Sequence, residues 1–124
     1  MTLRLPALAT ALTLLSCAGA AQAQGGPLSV GLSSDPANRS LHCGAAIYAE
    51  KYLIQEEGFS STFDRAALDA GGVAWVEEAA RRAGKAPGAF IQDEVFAAVM
   101  ESKLDADLPR QAQIKWCLAR TPPG

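Results

Sequence analysis

The fold is decided by the stretch from Leu41 to Glu57, which has the sequence LHCGAAIYAEKYLIQEE. Its apolar side chains recur at helical spacing, and Ser40 and Gly58 are typical N-cap and C-cap residues. So broad an apolar surface predicts a helix that packs against neighbours on more than one side. The predicted apolar set is Cys43, Ala45, Ala46, Ile47, Tyr48, Ala49, Tyr52, Leu53 and Ile54, and the predicted solvent face is Glu50, Lys51, Gln55 and Glu56.

Cys43 lies near the start of this helix, and Cys117 near the end of the chain is the only cysteine that follows it. Two cysteines placed in this way predict a disulfide in an oxidising compartment. The bridge closes a loop of about 75 residues, for which the chain-entropy account gives roughly 4 kcal/mol of stabilisation. The alternative, a pair of reactive thiols, lacks both the C-x-x-C spacing and a Lys or Arg directly beside Cys43.

A second helix is predicted after Ser61-Thr-Phe-Asp64, a pattern similar to a capping box, and it stops at Gly84. Gly71-Gly72 in its middle costs roughly 2 kcal/mol relative to two alanines. The pair therefore predicts close packing against a neighbouring helix, with a kink or a break as the alternative.

Two shorter helices complete the pattern. The third opens at Pro87, and the fourth begins between Asp107 and Pro109 and ends near Arg120. The third is predicted to bury Ile91, Val95, Phe96, Val99 and Met100 and to expose Asp93, Glu94, Glu101 and Ser102, whereas the fourth buries Ile114, Cys117 and Leu118.

The sequence thus predicts an all-α fold, a small four-helix up-and-down bundle whose first and last helices are tied by one disulfide. Residues 41–120 form the helical domain in this interpretation. Residues 24–40, rich in Gly, Pro and Ser, are predicted to be a flexible leader, and residues 121–124 a disordered tail.

The first 23 residues have the three parts of a secretory signal peptide. Arg4 provides the positive charge, an apolar run spans residues 5–15, and Ala21-Gln22-Ala23 fits the A-x-A cleavage rule with Gln24 as the new N-terminus. The apolar run is about half the ~20 residues that a membrane-spanning helix needs. The alternative is lipidation: Leu14-Leu15-Ser16-Cys17 resembles a bacterial lipobox, with Cys17 as the modified residue.

The net charge of the chain after signal cleavage indicates which classes of partner are expected. After cleavage ten Lys and Arg face thirteen Asp and Glu, a net charge near −3. Nucleic acid is not an expected partner, because it requires a basic stripe that releases counterions. No transmembrane segment is predicted after the signal.

The search for chemistry predicts no catalytic, cofactor-binding or metal-binding residues. His42 is the only histidine, and its neighbour Cys43 does not share its helical face, so we expect an exposed first-turn side chain. The acid pairs Glu56-Glu57, Glu77-Glu78 and Asp93-Glu94 are expected on solvated surfaces, with Glu77-Glu78 paired to Arg81-Arg82. Trp75 and Trp116 are expected to pack between helices, with a ligand pocket as the alternative.

The layout is similar to that of small exported helical proteins of Gram-negative bacteria. Two characterised groups with this layout are the acid-stress periplasmic chaperones and the periplasmic immunity proteins, which inhibit toxins. The expected function is a periplasmic or secreted, non-enzymatic protein that binds a protein partner or a small apolar ligand. An outer-membrane lipoprotein with a scaffolding role is the alternative, and a chaperone or an inhibitor ranks below both.

Overall fold

The computed structural model describes residues 25–86, 88, 94–104 and 109–123. These residues form a short 3-10 turn (Pro27–Val30) and four α-helices without strands, so the all-α prediction is confirmed for them. The helices are α1 (Pro36–Glu57), α2 (Arg65–Ala83), α3 (Phe96–Leu104) and α4 (Arg110–Leu118).

Helix α1 begins five residues before its predicted start, so the N-cap prediction at Ser40 is wrong. Asp35 is the N-cap, and its carboxylate accepts a hydrogen bond from the backbone N–H of Asn38. Pro36 occupies the first turn, where its missing N–H costs nothing. Ser40 is instead buried in the helix and donates its hydroxyl to the Pro36 carbonyl. The C-terminal stop at Gly58 is confirmed by its left-handed φ of 66°.

The segment predicted as a flexible leader contributes to the core. Leu32 is 1% exposed and belongs to the main apolar cluster, and Val30 packs against that cluster. Leu28, Val30 and Leu32 are spaced two apart among Gly and Ser residues, which is not a helical period, so the sequence did not mark Leu32 as a core residue. The ordered domain therefore begins before residue 40.

Helix α2 runs unbroken through Gly71-Gly72, so close packing is the correct alternative. A Cβ on Gly71 would lie 2.6 Å from Leu118 Cδ2, and one on Gly72 would lie 3.2 Å from Ile47 Cγ2. Asp64, rather than Ser61, caps the helix by accepting from the Ala67 N–H. The predicted stop at Gly84 is confirmed.

Helix α1 is the central element, because α2, α3 and α4 all pack against it. It lies antiparallel to α2: Gly44 near its start approaches Val76, and Lys51 farther along pairs with Asp69. Two apolar clusters result. The larger contains Leu32, Cys43, Ala46, Ile47, Leu68, Trp75, Ile114 and Cys117, and the smaller contains Val76, Ala79, Ala80 and Val95.

The predicted disulfide joins α1 to α4. Cys43 and Cys117 are bonded, with Cα atoms 5.7 Å apart, and both are fully buried. Trp75 of α2 donates its indole N–H to the Cys117 carbonyl at 3.0 Å, so a third helix is attached at the same point. Trp75 is thus a packing residue, as expected.

The predicted tail also makes contacts. Thr121 donates its hydroxyl to the Leu118 carbonyl at 3.1 Å, and both Thr121 and Pro122 are half-buried. The ordered part of the chain therefore extends beyond residue 120.

Several predictions concern residues outside the described part of the chain. These are the signal peptide with Cys17 and the Ala23–Gln24 cleavage site, and the start of the third helix with Pro87, Ile91 and Asp93. Among the residues that are described, no helix combines the length and the apolar character needed to cross a membrane.

Candidate functional site

A cleft of about 190 Å³ opens where α1, α3, α4 and the loop before α1 meet. We call it the His42 cleft. Its lining residues are Gly31, His42, Ala45, Ala98, Glu101, Ser102 and Gln113.

Helical spacing brings the cleft's side chains together. His42 and Ala45 are three residues apart on α1, as are Ala98 and Glu101 on α3, so each pair covers one side of its helix. Gln113 projects from α4 and is only 6% exposed. The cleft is thus lined by two small apolar side chains, Ala45 and Ala98, together with polar side chains from three helices.

One polar side chain of the cleft is buried without a partner among the described residues. Ser102 is 6% exposed and its Oγ has no hydrogen-bond partner. Of the other polar residues that line the cleft, Gln113 is buried, His42 is half-buried and Glu101 is exposed. Buried polar groups in folded proteins are nearly always paired, so the unpaired hydroxyl of Ser102 marks a place where a ligand can bind.

Two predictions are corrected at this cleft. Ser102 was expected to face away from the core but is buried, because α3 packs against α1 along the side that carries it. His42 was expected to be exposed but is half-buried. Its neighbour Cys43 is held in the disulfide, so a Cys-His nucleophile pair does not exist here.

A second concavity, about 260 Å³ and open to solvent, lies along α4 and the 3-10 turn. We call it the Trp116 trough. Trp116 donates its indole N–H to the Gly25 carbonyl at 3.3 Å, and the guanidinium of Arg120 lies 4.2 Å from the centre of the indole ring. The lining residues are Ser29, Val30, Ala112, Lys115, Trp116, Ala119 and Arg120.

The trough combines an aromatic ring with positive charge. Lys115 and Arg120 are both exposed, and none of the described residues that line the trough is acidic. Leu28, next to Ser29 in the 3-10 turn, is 73% exposed. Trp116 was expected to pack between helices, and it packs only partly against the core while its remaining surface lines the trough.

Glu50, like Ser102, is a polar residue whose burial was not predicted. It was assigned to the solvent face of α1 but is 0% exposed. Its Oε1 accepts from Gln111 at 2.9 Å and from Arg110 at 3.3 Å, and its Oε2 accepts from the Ser61 hydroxyl at 2.8 Å. With every oxygen occupied, this cluster joins α1 to α4 and to the loop before α2, and we assign it a structural role.

The paired acids were expected on solvated surfaces, which holds for three of the described ones but not for Glu78 and Glu94, which are half-buried. Glu56, Glu57 and Glu77 are exposed. Glu78 is bonded by Arg82 at 2.9 Å and also by Arg81, which confirms the expected helical ion pairing for this residue. Glu94 pairs with Lys85. No group of three metal-binding side chains occurs among residues 25–86, 88, 94–104 and 109–123.

Comparisons of this chain with protein-family models, with curated proteins and with solved structures found no match. The assignment of function therefore rests on the cleft, the trough and the disulfide.

Proposed function

We propose that the chain is an exported helical protein, periplasmic or secreted, that acts by binding a protein partner and not by catalysis. Export is supported by the disulfide between Cys43 and Cys117, because such bonds persist in oxidising compartments and are rare in the cytosol. It is also supported by the signal-like sequence that ends at Ala23. An up-and-down helix order belongs to this proposal, and the antiparallel pairing of α1 with α2 agrees with it.

The observation that carries the binding proposal is the Trp116 trough. Tryptophan and arginine are the side chains that most often dominate the energy of protein interfaces. A pocket for a small apolar ligand normally encloses most of the ligand, whereas the trough is open along α4. An extended surface of a partner protein suits it better than a small apolar molecule.

The charge of the trough supports an acidic partner. Lys115 and Arg120 place two positive charges on a mature chain whose net charge is near −3. Complementary charge steers association and sets specificity. The partner surface is therefore an acidic segment that carries at least one apolar side chain for contact with Trp116.

A charge-reversed variant tests this proposal. The oxidised mature protein, Lys115→Glu/Arg120→Glu and the control Arg65→Glu/Arg81→Glu are each immobilised and exposed to periplasmic extract. We expect one acidic protein to be retained by the wild type and by the control, to be lost from the trough variant and to be released by salt. Equal retention by both variants, or no specific retention by any of them, contradicts the proposal.

Intact mass tests export and separates the two processing alternatives. A chain that starts at Gln24 supports soluble release. A diacylated Cys17 at the N-terminus instead makes the protein an envelope lipoprotein with the same binding domain, in a scaffolding role. A chain that keeps its first 23 residues in the cytoplasm contradicts export.

A further inference from the structure

We propose that the His42 cleft is a second binding site, specific for a small organic ammonium cation such as a hydroxyl-bearing primary amine. The cleft shares no lining residue with the Trp116 trough, so this inference stands or falls separately from the proposed protein-binding function.

The first argument is the unmet hydrogen-bonding capacity of the cleft. Ser102 is more than nine-tenths buried, lines the cleft and has an Oγ without a partner. A hydroxyl buried in this way has lost its hydration without compensation, which makes a ligand that bonds to it favourable. Gln113, also buried, lines the same cleft and adds an amide group with two donors and an acceptor.

The second argument is charge. Glu101 brings an exposed carboxylate to the cleft, and neither a lysine nor an arginine is found among the described lining residues. A carboxylate at this position attracts a cation and repels an anion. The hydroxyl of Ser102 and the amide oxygen of Gln113 are acceptors for the remaining N–H groups of an ammonium ion.

The third argument is size and wall chemistry. A cavity of about 150 Å³ holds a benzene-sized molecule, so the cleft's 190 Å³ suits a ligand of about six to eight non-hydrogen atoms or fewer. Ala45, Ala98 and Gly31 provide small apolar walls against which one or two methylene groups can pack. A transition metal fits less well, because His42 and Glu101 are only two of the three or four strong ligands that such ions require.

Ethanolamine, which is an ammonium ion at neutral pH and carries a hydroxyl, is the test ligand. Backbone amide NMR spectra of the oxidised mature protein are followed as ethanolamine, acetate, glycerol or Zn²⁺ is added. We expect saturable shifts from ethanolamine at Glu101, Ser102 and Gln113, weaker shifts from glycerol and none from acetate. The trough residues Lys115 and Trp116 should not respond.

Three variants make the test specific. Glu101→Gln should weaken ethanolamine binding by about tenfold or more, since it removes a charge-assisted hydrogen bond. Ser102→Ala should weaken it several-fold without lowering the melting temperature, because the hydroxyl has no partner in the protein. Glu57→Gln changes the same net charge at an exposed position outside the cleft and should bind like the wild type.

The proposal is overturned by any of three results: no saturable shift at the cleft residues, equal binding of acetate or glycerol, or equal losses in Glu101→Gln and Glu57→Gln. Saturable Zn²⁺ binding at His42 and Glu101 in preference to ethanolamine would also overturn it, since the cleft would then be a metal site.

Discussion

Glu50 is fully buried in α1, and its two carboxylate oxygens accept hydrogen bonds from three side chains. Arg110, one of the donors, is also mostly buried, with 17% of its side chain exposed. Burying two charges is costly, and the cost is offset only while both keep their partners. Removing only one member of the ion pair should therefore lower the stability of the fold.

The first prediction follows from this pairing. Glu50→Ala leaves Arg110 and Gln111 without their acceptor, and we expect a loss of about 2–4 kcal/mol in the free energy of unfolding. For a domain of this size the melting temperature should fall by about 10 °C or more. Thermal unfolding followed by circular dichroism measures it, with the exposed Glu57→Ala as the control. Similar melting of the two variants would show that the Glu50 cluster is not stabilising.

Asp69 provides a second prediction at the residue scale. The hydrogen bond from Lys51, 3.0 Å away, and the charges of Lys51 and Arg65 hold the pKa of this exposed carboxyl below its usual range, against a smaller opposing effect of desolvation. A depressed pKa contributes stability at pH values above the unfolded-state pKa. That stability is lost as the pH falls below about 4 and through the folded-state pKa. NMR titration should place Asp69 below ordinary aspartates, and Lys51→Met should raise its pKa. An unchanged value in Lys51→Met would contradict the assigned cause.

At the scale of the elements, the close contact between α1 and α2 depends on glycine. A Cβ at Gly44 would lie 2.9 Å from Val76 Cγ2 and 3.4 Å from the Val76 backbone nitrogen. Val76 is buried, and a valine in a helix has essentially one side-chain rotamer, so it cannot move aside cheaply. At Gly71 the obstacle is instead the end of the half-buried Leu118 side chain, which can rotate.

The third prediction compares these two positions. Alanine in a helix is favoured over glycine by about 1 kcal/mol, but overpacking costs about 1–3 kcal/mol. We expect Gly44→Ala to destabilise the protein by about 1–2 kcal/mol and Gly71→Ala to destabilise it less. Urea unfolding measures both, with Gly26→Ala as the control since nothing lies within 4 Å of its added Cβ. A Gly44→Ala variant as stable as the wild type would contradict the packing account.

The sequence predicted those features of the elements that local chemistry determines. The stops at Gly58 and Gly84 follow from the left-handed conformation that glycine adopts easily, and the disulfide follows from two cysteines on helical core faces. The start of α1 was missed because Asp35-Pro36 and Ser40 are both valid helix starts, and the local sequence does not decide between them.

The candidate sites could be predicted less well, for a physical reason. Glu50 and Ser102 are polar residues at positions whose burial depends on where α4 and α3 lie, and helical periodicity cannot provide that information. The cleft joins residues 31, 42, 102 and 113, which are distant in sequence. A single histidine and isolated carboxylates give no spacing pattern from which such a site can be recognised.

At the scale of the whole molecule, the disulfide closes most of the domain into one loop with a sequence separation of 74. The fourth prediction is that protein refolded under reducing conditions melts at least about 15 °C below the oxidised form, the result expected from a loss near 4 kcal/mol. A Cys43→Ala/Cys117→Ala variant should melt like the reduced protein and should not respond to reductant. Equal melting of oxidised and reduced protein would mean that the bond contributes nothing to stability.

The last prediction concerns the acid-chaperone alternative. Residues 24–124 contain thirteen acids, ten Lys and Arg, and one histidine, so their net charge moves from near −3 at pH 7 to about +11 at pH 2. Repulsion of this size loosens compact folds, and acid states commonly keep their helices while they lose fixed packing. The disulfide between α1 and α4 opposes full expansion because it holds the two ends of the domain together. We therefore expect helical circular dichroism to persist at pH 2 while binding of an apolar dye increases.

Loosening of this kind is general for acidified helical domains, so it does not by itself indicate a chaperone. A chaperone must also use the newly exposed apolar surface to suppress the aggregation of another protein at the same pH. The proposed function gives no role to that apolar surface, and the trough, where Lys115 and Arg120 meet ionised carboxylates of a partner, loses this attraction in acid. We therefore expect client aggregation to continue unchanged. Light scattering of an acid-sensitive client protein, mixed with an excess of the domain at pH 2, measures this aggregation. The Cys43→Ala/Cys117→Ala variant is the control, because it shows whether a chain without the disulfide binds the client nonspecifically. Suppression by the oxidised domain but not by this variant would favour the chaperone over the partner-binding function proposed here.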